Sequence, residues 1–302
     1  MEARGMASSG TTTSIFGDVF NAVTSKIASL FAFYPPPPSY NLRPSSSDTE
    51  NIQEIFFREE AGQVCEKDEK ERFEVGFANT SRGSRIVTLF IRCSDAGQRT
   101  IMLSHGNGED LGLTAGFLLE MSDEFNFNVF SYDYSGYGRS TGKPSEDNLY
   151  ADIEAAWEVL RTKHGVPEEK VVLYGRSLGT APTVHLASKL TKLPGVILHS
   201  PLSSGMGMVL SSSWSLGPFP VAKSVPLIDS PVLVIHGTQD EVIPISHGRT
   251  VYERCRRAVI PLWVEGGGHN NIQVYPKYWE RVEFFLTKEL SGEWEPRTNV
   301  VL

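Results

Sequence analysis

The chain has 302 residues, with 28 lysines and arginines against 36 aspartates and glutamates, a formal charge of −8; 40% of its residues are hydrophobic and 21% charged. This is the composition of a globular protein long enough to build a core without staples, and an acidic chain lacking a Lys/Arg block is a poor general nucleic-acid binder, because that affinity comes mostly from neutralising phosphates. No stretch reaches the roughly 20 apolar residues that span a bilayer, and the three scattered cysteines, Cys65, Cys93 and Cys255, form neither a CxxC pair nor a metal-ligand set, a usage that fits a reducing compartment.

Residues 1–13 are small and polar and are expected to be a disordered N-terminus. They carry no charged n-region ahead of an apolar run, so no secretory signal is read and the protein is expected to face the cytosol. In residues 14–34, Phe16, Phe20, Val23, Ile27, Leu30 and Phe31 recur at steps of three and four, the spacing of an amphipathic helix. Pro35–Pro38 ends any helix and enforces an extended segment, and residues 35–50 read as a Pro/Ser-rich linker.

From residue 51 to about 290 the pattern is regular, and residues 291–302 read as a C-terminal tail. Ile52–Phe57, Phe73–Phe77 and Ile86–Ile91 are early strands with an antiparallel look. Apolar runs at Thr100–Ser104, Val129–Tyr132, Val171–Tyr174, Val196–Leu198, Val232–Ile235 and Pro261–Val264 then alternate with helical patterns near 112–123, 146–164, 178–192, 246–256 and 276–289. Such alternation predicts βαβ units in an α/β fold with a mostly parallel sheet. In such sheets function gathers at the carboxyl ends of the strands.

Val171–Tyr174 runs into Gly175-Arg176-Ser177-Leu178-Gly179 and then a helical segment, which is GxSxG in the strand–turn–helix context of a nucleophile elbow. The plainer reading is a helix-capping serine in a Gly-rich turn. A serine nucleophile needs a base, and the base an orienting acid. Asp240 follows the strand ending at Ile235, and His269 follows Glu265-Gly266-Gly267-Gly268 after the strand ending at Val264. The chain order Ser177, Asp240, His269 is the α/β-hydrolase order. Glu241 is a rival acid, Asp240 could instead cap a helix near Ser246, and His105, His199 and His236 are the rival histidines that follow strands.

Acyl transfer also needs donors for the oxyanion, and losing one costs about 10²–10³ in rate. Leu178, after the nucleophile, offers one backbone N–H. The loop His105-Gly106-Asn107-Gly108 offers the second, with the Asn107 N–H as candidate. Tyr134–Ser140 lacks the third glycine of a dinucleotide fingerprint and reads as a structural loop near the rim. Neither a metal nor a cofactor is expected, because no HExxH or CxxC arrangement is present.

Taken together, Leu30–Leu42, Ser104–Gly108, Phe130–Gly138, Leu149–Trp157, Tyr174–Thr180, Ile197–Gly205, Pro231–Gly248 and Glu253–Asn270 resemble the α/β-hydrolase superfamily, and within it the α/β hydrolase domain-containing protein 17 group of membrane-associated palmitoyl-protein thioesterases. The resemblance implies the α/β-hydrolase fold, nucleophile Ser177, acid Asp240 and base His269. It also implies S-palmitoylated membrane proteins as substrates and a peripheral position on the cytoplasmic side of the plasma or an endosomal membrane. The sequence departs from the group in four places. No cysteine precedes Cys65, whereas the group carries a palmitoylated N-terminal cysteine cluster; Arg176 stands where glutamine is expected; three glycines precede His269; and residues 206–222 diverge most.

Segment 14–34 therefore either lies in the membrane interface or packs on the hydrolase domain. Electrostatic help would be small, since residues 1–50 set Arg4, Lys26 and Arg43 against Glu2, Asp18, Asp48 and Glu50. The stretch between Leu198 and Pro231, 32 residues, is short for a lid and suits an acyl chain presented on a bulky protein. The rival functions are a serine esterase or lipase acting on monoacylglycerol or small esters, and a non-catalytic hydrolase-fold binding protein.

Overall fold

A computed structural model describes residues 33–44, 53–61, 71–93, 99–204 and 219–291. Residues 14–32, most of the expected amphipathic segment, and 205–218, most of the divergent stretch, lie outside the described residues, as do the expected N-terminus 1–13 and nearly all of the tail.

The described strands are β1 (Tyr40–Pro44), β2 (Gln53–Phe57), β3 (Phe73–Asn79), β4 (Arg85–Ile91), β5 (Thr100–Ser104), β6 (Asn128–Tyr132), β7 (Val171–Arg176), β8 (Gly195–His199), β9 (Val232–Gly237) and β10 (Leu262–Val264). They form one sheet in the order β1-β2-β3-β4-β6-β5-β7-β8-β9-β10. The first four strands are an antiparallel meander that joins β6 antiparallel through β4; from β6 to β10 every pairing is parallel. This is the α/β-hydrolase fold.

The helices are α1 (Leu111–Phe125), α2 (Glu146–Thr162), α3 (Thr180–Ala187), α4 (Val221–Ser224), α5 (Ile245–Arg254) and α6 (Pro276–Thr287). Their ends follow local chemistry. The Asp110 carboxylate caps α1 by accepting from the Leu113 N–H, and Asn126 closes that helix in the left-handed region at φ 51°. Ser145 caps α2, with Glu146 and Asp147 in its first turn. Pro276 opens α6, where its missing N–H costs least.

The period of two in the strands divides the core into two layers. Phe90, Met102, Phe130, Leu173, Leu198 and Val234 face α2 and α3, which contribute Leu149, Ile153, Leu160 and Val184. Leu89, Ile101, Leu103, Val172, Ile197 and Leu233 face α1 and α6, which contribute Leu118, Met121, Val282 and Phe285. A strand buried on both faces reads as an unbroken apolar run, which is why β5, β8 and β9 are so plain in the sequence.

The structure corrects one expected boundary. Residues 35–44 are not linker: the chain lies extended on the domain from Phe33, and Tyr40–Pro44 is the edge strand β1, paired with β2 in the register Tyr40↔Phe57. Proline run and serines suggested a tether, but Ser39 and Tyr40 are fully buried by partners far away in the chain. Phe33 and Tyr34, the last residues of the expected helix, are not helical. Helix α3 is also shorter than its apolar pattern suggests, ending at Ala187.

Candidate active site

Strand β7 delivers Ser177 at φ 52°, in the left-handed region that non-glycine residues seldom occupy. The turn is held by crowding. A Cβ on Gly175 would stand 2.6 Å from the Gly179 carbonyl and from Thr183 Oγ1, and one on Gly179 would stand 2.1 Å from the Ser104 carbonyl. Both glycines of GxSxG are therefore steric necessities, and the second lets the elbow pack directly on the loop after β5. Backbone strain of this kind concentrates where surrounding structure over-determines it.

Asp240 and His269 come to Ser177 from the loops after β9 and β10. His269 Nε2 lies 3.0 Å from Ser177 Oγ, and His269 Nδ1 lies 2.8 Å from Asp240 Oδ2. A carboxylate only accepts, so Nδ1 carries the proton and Nε2 presents its lone pair to the serine hydroxyl. The other oxygen of Asp240 accepts from the N–H groups of Val242 (2.9 Å) and Ile243 (2.7 Å). Burial works to raise the Asp240 pKa, but hydrogen bonds from His236, His269 and Ile243 and the His269 charge outweigh it and hold the carboxyl well below the usual carboxylate range.

The rivals take other places. Glu241 accepts the backbone N–H of His269 at 3.2 Å and does not reach the ring. The helix near Ser246, α5, starts after Pro244 without a side-chain cap, so Asp240 does not serve it. His105 stacks against Tyr134 with ring centroids 4.1 Å apart, and its Nδ1 bonds the Gly106 carbonyl. His199 pairs with the Tyr174 hydroxyl at 2.6 Å, and burial lowers its pKa far below the ordinary imidazole value. The third rival histidine, His236, has its Nε2 2.8 Å from the Ile243 carbonyl and 3.2 Å from Asp240 Oδ2. Asp240 thus sits between two imidazoles, one facing the serine and one buried beneath.

Leu178 follows Ser177 in the first turn of the short helix Ser177–Gly179 that leads into α3. Across from it lies the loop carrying Asn107. The Gly106 N–H is engaged by Glu109 Oε2 at 2.9 Å. Asn107 Oδ1 accepts from the Tyr137 hydroxyl at 2.7 Å and from the Tyr34 N–H at 2.9 Å, and the Tyr134 hydroxyl donates to the His105 carbonyl at 2.5 Å. The rim loop Tyr134–Ser140 is thereby the floor of this loop.

Arg176 spans the two sides of the site. Its guanidinium donates to Glu109 Oε1 at 2.6 Å and to Asn270 Oδ1 at 3.1 Å, with side chains only 12% and 22% exposed for the ion pair. The sequence marked Arg176 as a departure but gave no sign of its partner, 67 residues away. Among the described residues, no group of three or more His, Cys, Asp or Glu is placed to hold a metal ion, and no helix is long and apolar enough to cross a membrane.

Comparison with known proteins bears on the family and the fold. The family model described as "Serine aminopeptidase, S33" matches residues 95–216. The α/β hydrolase domain-containing protein 17B of Xenopus tropicalis and that of Homo sapiens are each 47% identical over 268 residues, covering 88% of this chain and 92% of theirs. The 17C protein of Xenopus laevis is 45% identical over 285 residues, covering 89% and 91%. Among solved structures, an esterase of Pyrococcus furiosus superposes with a TM-score of 0.58 at 21% identity, over 71% of this chain and 91% of its own, a likeness of fold. With identity of this level over nearly nine-tenths of its length, the chain belongs to the α/β hydrolase domain-containing protein 17 family, and is on that ground a hydrolase.

Proposed function

We propose that this protein is a serine hydrolase that cleaves the thioester of S-palmitoylated cysteines on membrane-associated proteins, with Ser177, His269 and Asp240 as its catalytic triad. The observation that carries the reading is the continuous line from Ser177 Oγ through the His269 ring to Asp240, at 3.0 and 2.8 Å, on a strained elbow. Family membership supports the substrate class.

Ser177 Oγ attacks the acyl carbonyl while His269 Nε2 takes its proton. The oxyanion is held by the N–H groups of Leu178 and Asn107. As the intermediate collapses, the C–S bond breaks and the histidine returns the proton to the departing cysteine sulfur. Water, deprotonated by the same nitrogen, then hydrolyses the palmitoyl-serine and frees Ser177. Asp240 holds the imidazole in the Nδ1–H tautomer and stabilises the imidazolium. The histidine works as a base only when neutral, so activity is lost on acidification. Asp240, held so low, remains ionised across that range and is not the source of the loss. The protein acts from the cytoplasmic face, peripheral to the membrane that carries its substrates.

The test compares wild type with Ser177→Ala on an S-palmitoyl peptide, its oxyester twin and a monoacylglycerol. Ser177-dependent turnover fastest on the thioester is expected. Preference for either ester moves the function to lipid or ester hydrolysis with the triad intact. Absence of turnover together with no fluorophosphonate labelling of Ser177 in folded protein points to a non-catalytic binding role.

A further inference from the structure

We propose that the extended strap Phe33–Tyr40, remote in sequence from every triad residue, is a positioning element of the active site that holds the Asn107 loop in place. The proposal rests on the reading of that loop as the second oxyanion donor.

The strap touches the loop directly at its start. The Tyr34 N–H donates to Asn107 Oδ1, the same oxygen that accepts from Tyr137. A Cβ on Gly108 would lie 3.9 Å from the Tyr34 carbonyl, so the strap also borders the loop beside the next residue. Phe33 packs edge-on against Phe219, with ring centroids 5.8 Å apart. The Tyr34 side chain itself is 76% exposed, so its contribution here is through the backbone.

The far end of the strap is seated in a built socket. The Ser39 N–H donates to Asp110 Oδ2 at 2.7 Å and the Ser39 hydroxyl to Asp110 Oδ1, while that same carboxylate caps α1. The Tyr40 hydroxyl donates to Asp133 Oδ2, and Asp133 Oδ1 accepts the Leu111 N–H at 2.8 Å. The socket has glycine walls. A Cβ on Gly112 would stand 2.2 Å from Ser39 Oγ, and one on Gly138 would stand 2.9 Å from the Tyr40 ring. Arg58 holds the strap from the outer side, its N–H on the Ser39 carbonyl and its guanidinium on the Pro38 carbonyl. Asp110 begins α1 immediately after the loop Gly106–Glu109, so the socket fixes the loop's exit while Tyr34 fixes its middle. Between the two anchors run four prolines, which remove backbone freedom that a flexible tether would retain.

The geometry gives the strap a role that contact burial alone does not require. The Tyr34 N–H joins the Tyr137 hydroxyl and the Gly108 N–H in holding Asn107 Oδ1, and the position of the Asn107 N–H depends on that set of bonds. A misplacement of about 1 Å in a catalytic donor is enough to cost rate by one or two orders of magnitude. Residues 1–32 precede the strap directly, and Tyr34, which bonds the Asn107 loop, is the strap's second residue.

The experiment uses the full chain and a soluble acyl ester, p-nitrophenyl octanoate, with kcat, KM and the acid limb of the pH profile measured for each variant. Tyr34→Pro removes the donor, and Tyr34→Ala keeps it while deleting the exposed ring. Y34P is expected to show a kcat about tenfold below that of Y34A, with KM within about twofold and the acid limb unmoved. N107A removes the acceptor and keeps its own N–H; it is expected to lose a similar factor, and Y34P/N107A to lose no more than either alone. Equal kcat in Y34P and Y34A, or losses that multiply in the double variant, overturns the proposal. If Y34P melts below the assay temperature, Tyr40→Phe serves in its place: a lower kcat at unchanged KM supports positioning, and unchanged kcat with a lower melting temperature overturns it. Absence of Ser177-dependent turnover in wild type is a separate result; it removes the reading of the site, and the proposal falls with it.

Discussion

The two halves of the site are built differently. The acid–base half of the proposed site is the more local: Asp240 is fixed by N–H groups two and three residues ahead, and His269, in a glycine loop that leaves β10 beside β9, is held by Asp240 and Glu241, 29 and 28 residues away. The oxyanion half is held by groups from afar. Asn107 is bound by residues 73 and 30 positions away, Glu109 by one 67 positions away, and Asp110 by one 71 positions away. A local half keeps its geometry as long as its strands remain paired. A half assembled from distant segments depends on each of them, and so carries the points at which activity changes without loss of the nucleophile.

The largest effects belong to the local half. Ser177→Ala is expected to reduce turnover by at least about 10⁴-fold with the melting temperature unchanged or raised, because the strained φ of the site is kept while its hydroxyl goes. A residual rate within tenfold of wild type sinks the assignment. Asp240→Asn preserves shape but favours the wrong histidine tautomer, for an expected loss of about 10³–10⁴ in kcat. Glu241→Gln, at the rival acid, is expected to cost at least a hundredfold less; comparable losses at both positions would show that the acid is shared.

Arg176 is the next test, because it bonds both halves, Glu109 on one side and Asn270 on the other. Arg176→Met leaves the partly buried Glu109 without its charge partner, with only the Gly106 N–H, and Glu109→Gln takes the charge partner from Arg176. Each is expected to lower kcat about tenfold, and the double variant to recover part of it, with a coupling of about 1–3 kcal/mol. Strict additivity of the two losses would mean that the pair is a surface feature without bearing on the loops.

The smallest effect is on stability. Burial, then the Asp110 charge, push the Asp133 carboxyl up to about 8, against the pull of its bonds from Tyr40 and Leu111. The folded chain therefore keeps a proton that the unfolded chain gives up above about pH 4. Stability from this group is complete below that value and is lost as pH rises towards 8. Asp152, raised to about 6 mainly by burial, adds a slope of the same sign. Asp133→Asn cannot titrate and is expected to flatten the decline in melting temperature between pH 4 and 8. An unchanged slope in the variant would show that Asp133 is ionised throughout and that the strap's socket holds a full charge.

Much of this was legible in the chain. The runs Thr100–Ser104 and Val232–Ile235 have the apolar continuity of strands buried on both faces, and the structure places β5 and β9 there. GxSxG between a strand and a helix located Ser177, and strand-end position with chain order located Asp240 and His269. Those signals are local in sequence, because a turn, a cap or a loop glycine acts on its neighbours. What was missed depends on how the fold turns side chains towards one another. His236 was read as a buried histidine competing for a role, and its second carboxylate contact came only with the fold. Tyr40 sat in a stretch whose composition said linker, since a Pro/Ser-rich segment that docks has the same letters as one that does not.

The sequence by itself determined the order of strands and helices, the two-sided burial of the sheet and the elbow, and named candidates for its partners, since these follow from periodicity, steric need, strand-end position and chain order. Only the tertiary structure decided that Arg176 faces Glu109, that Asp240 lies between two histidines, and that Phe33–Tyr40 closes on the Asn107 loop. Those are pairings across 67, 4 and 73 residues. Even the nearest of them is read from an imidazole that the strand turns inward. Such contacts are chosen by the packing of the whole sheet, which decides where each side chain points.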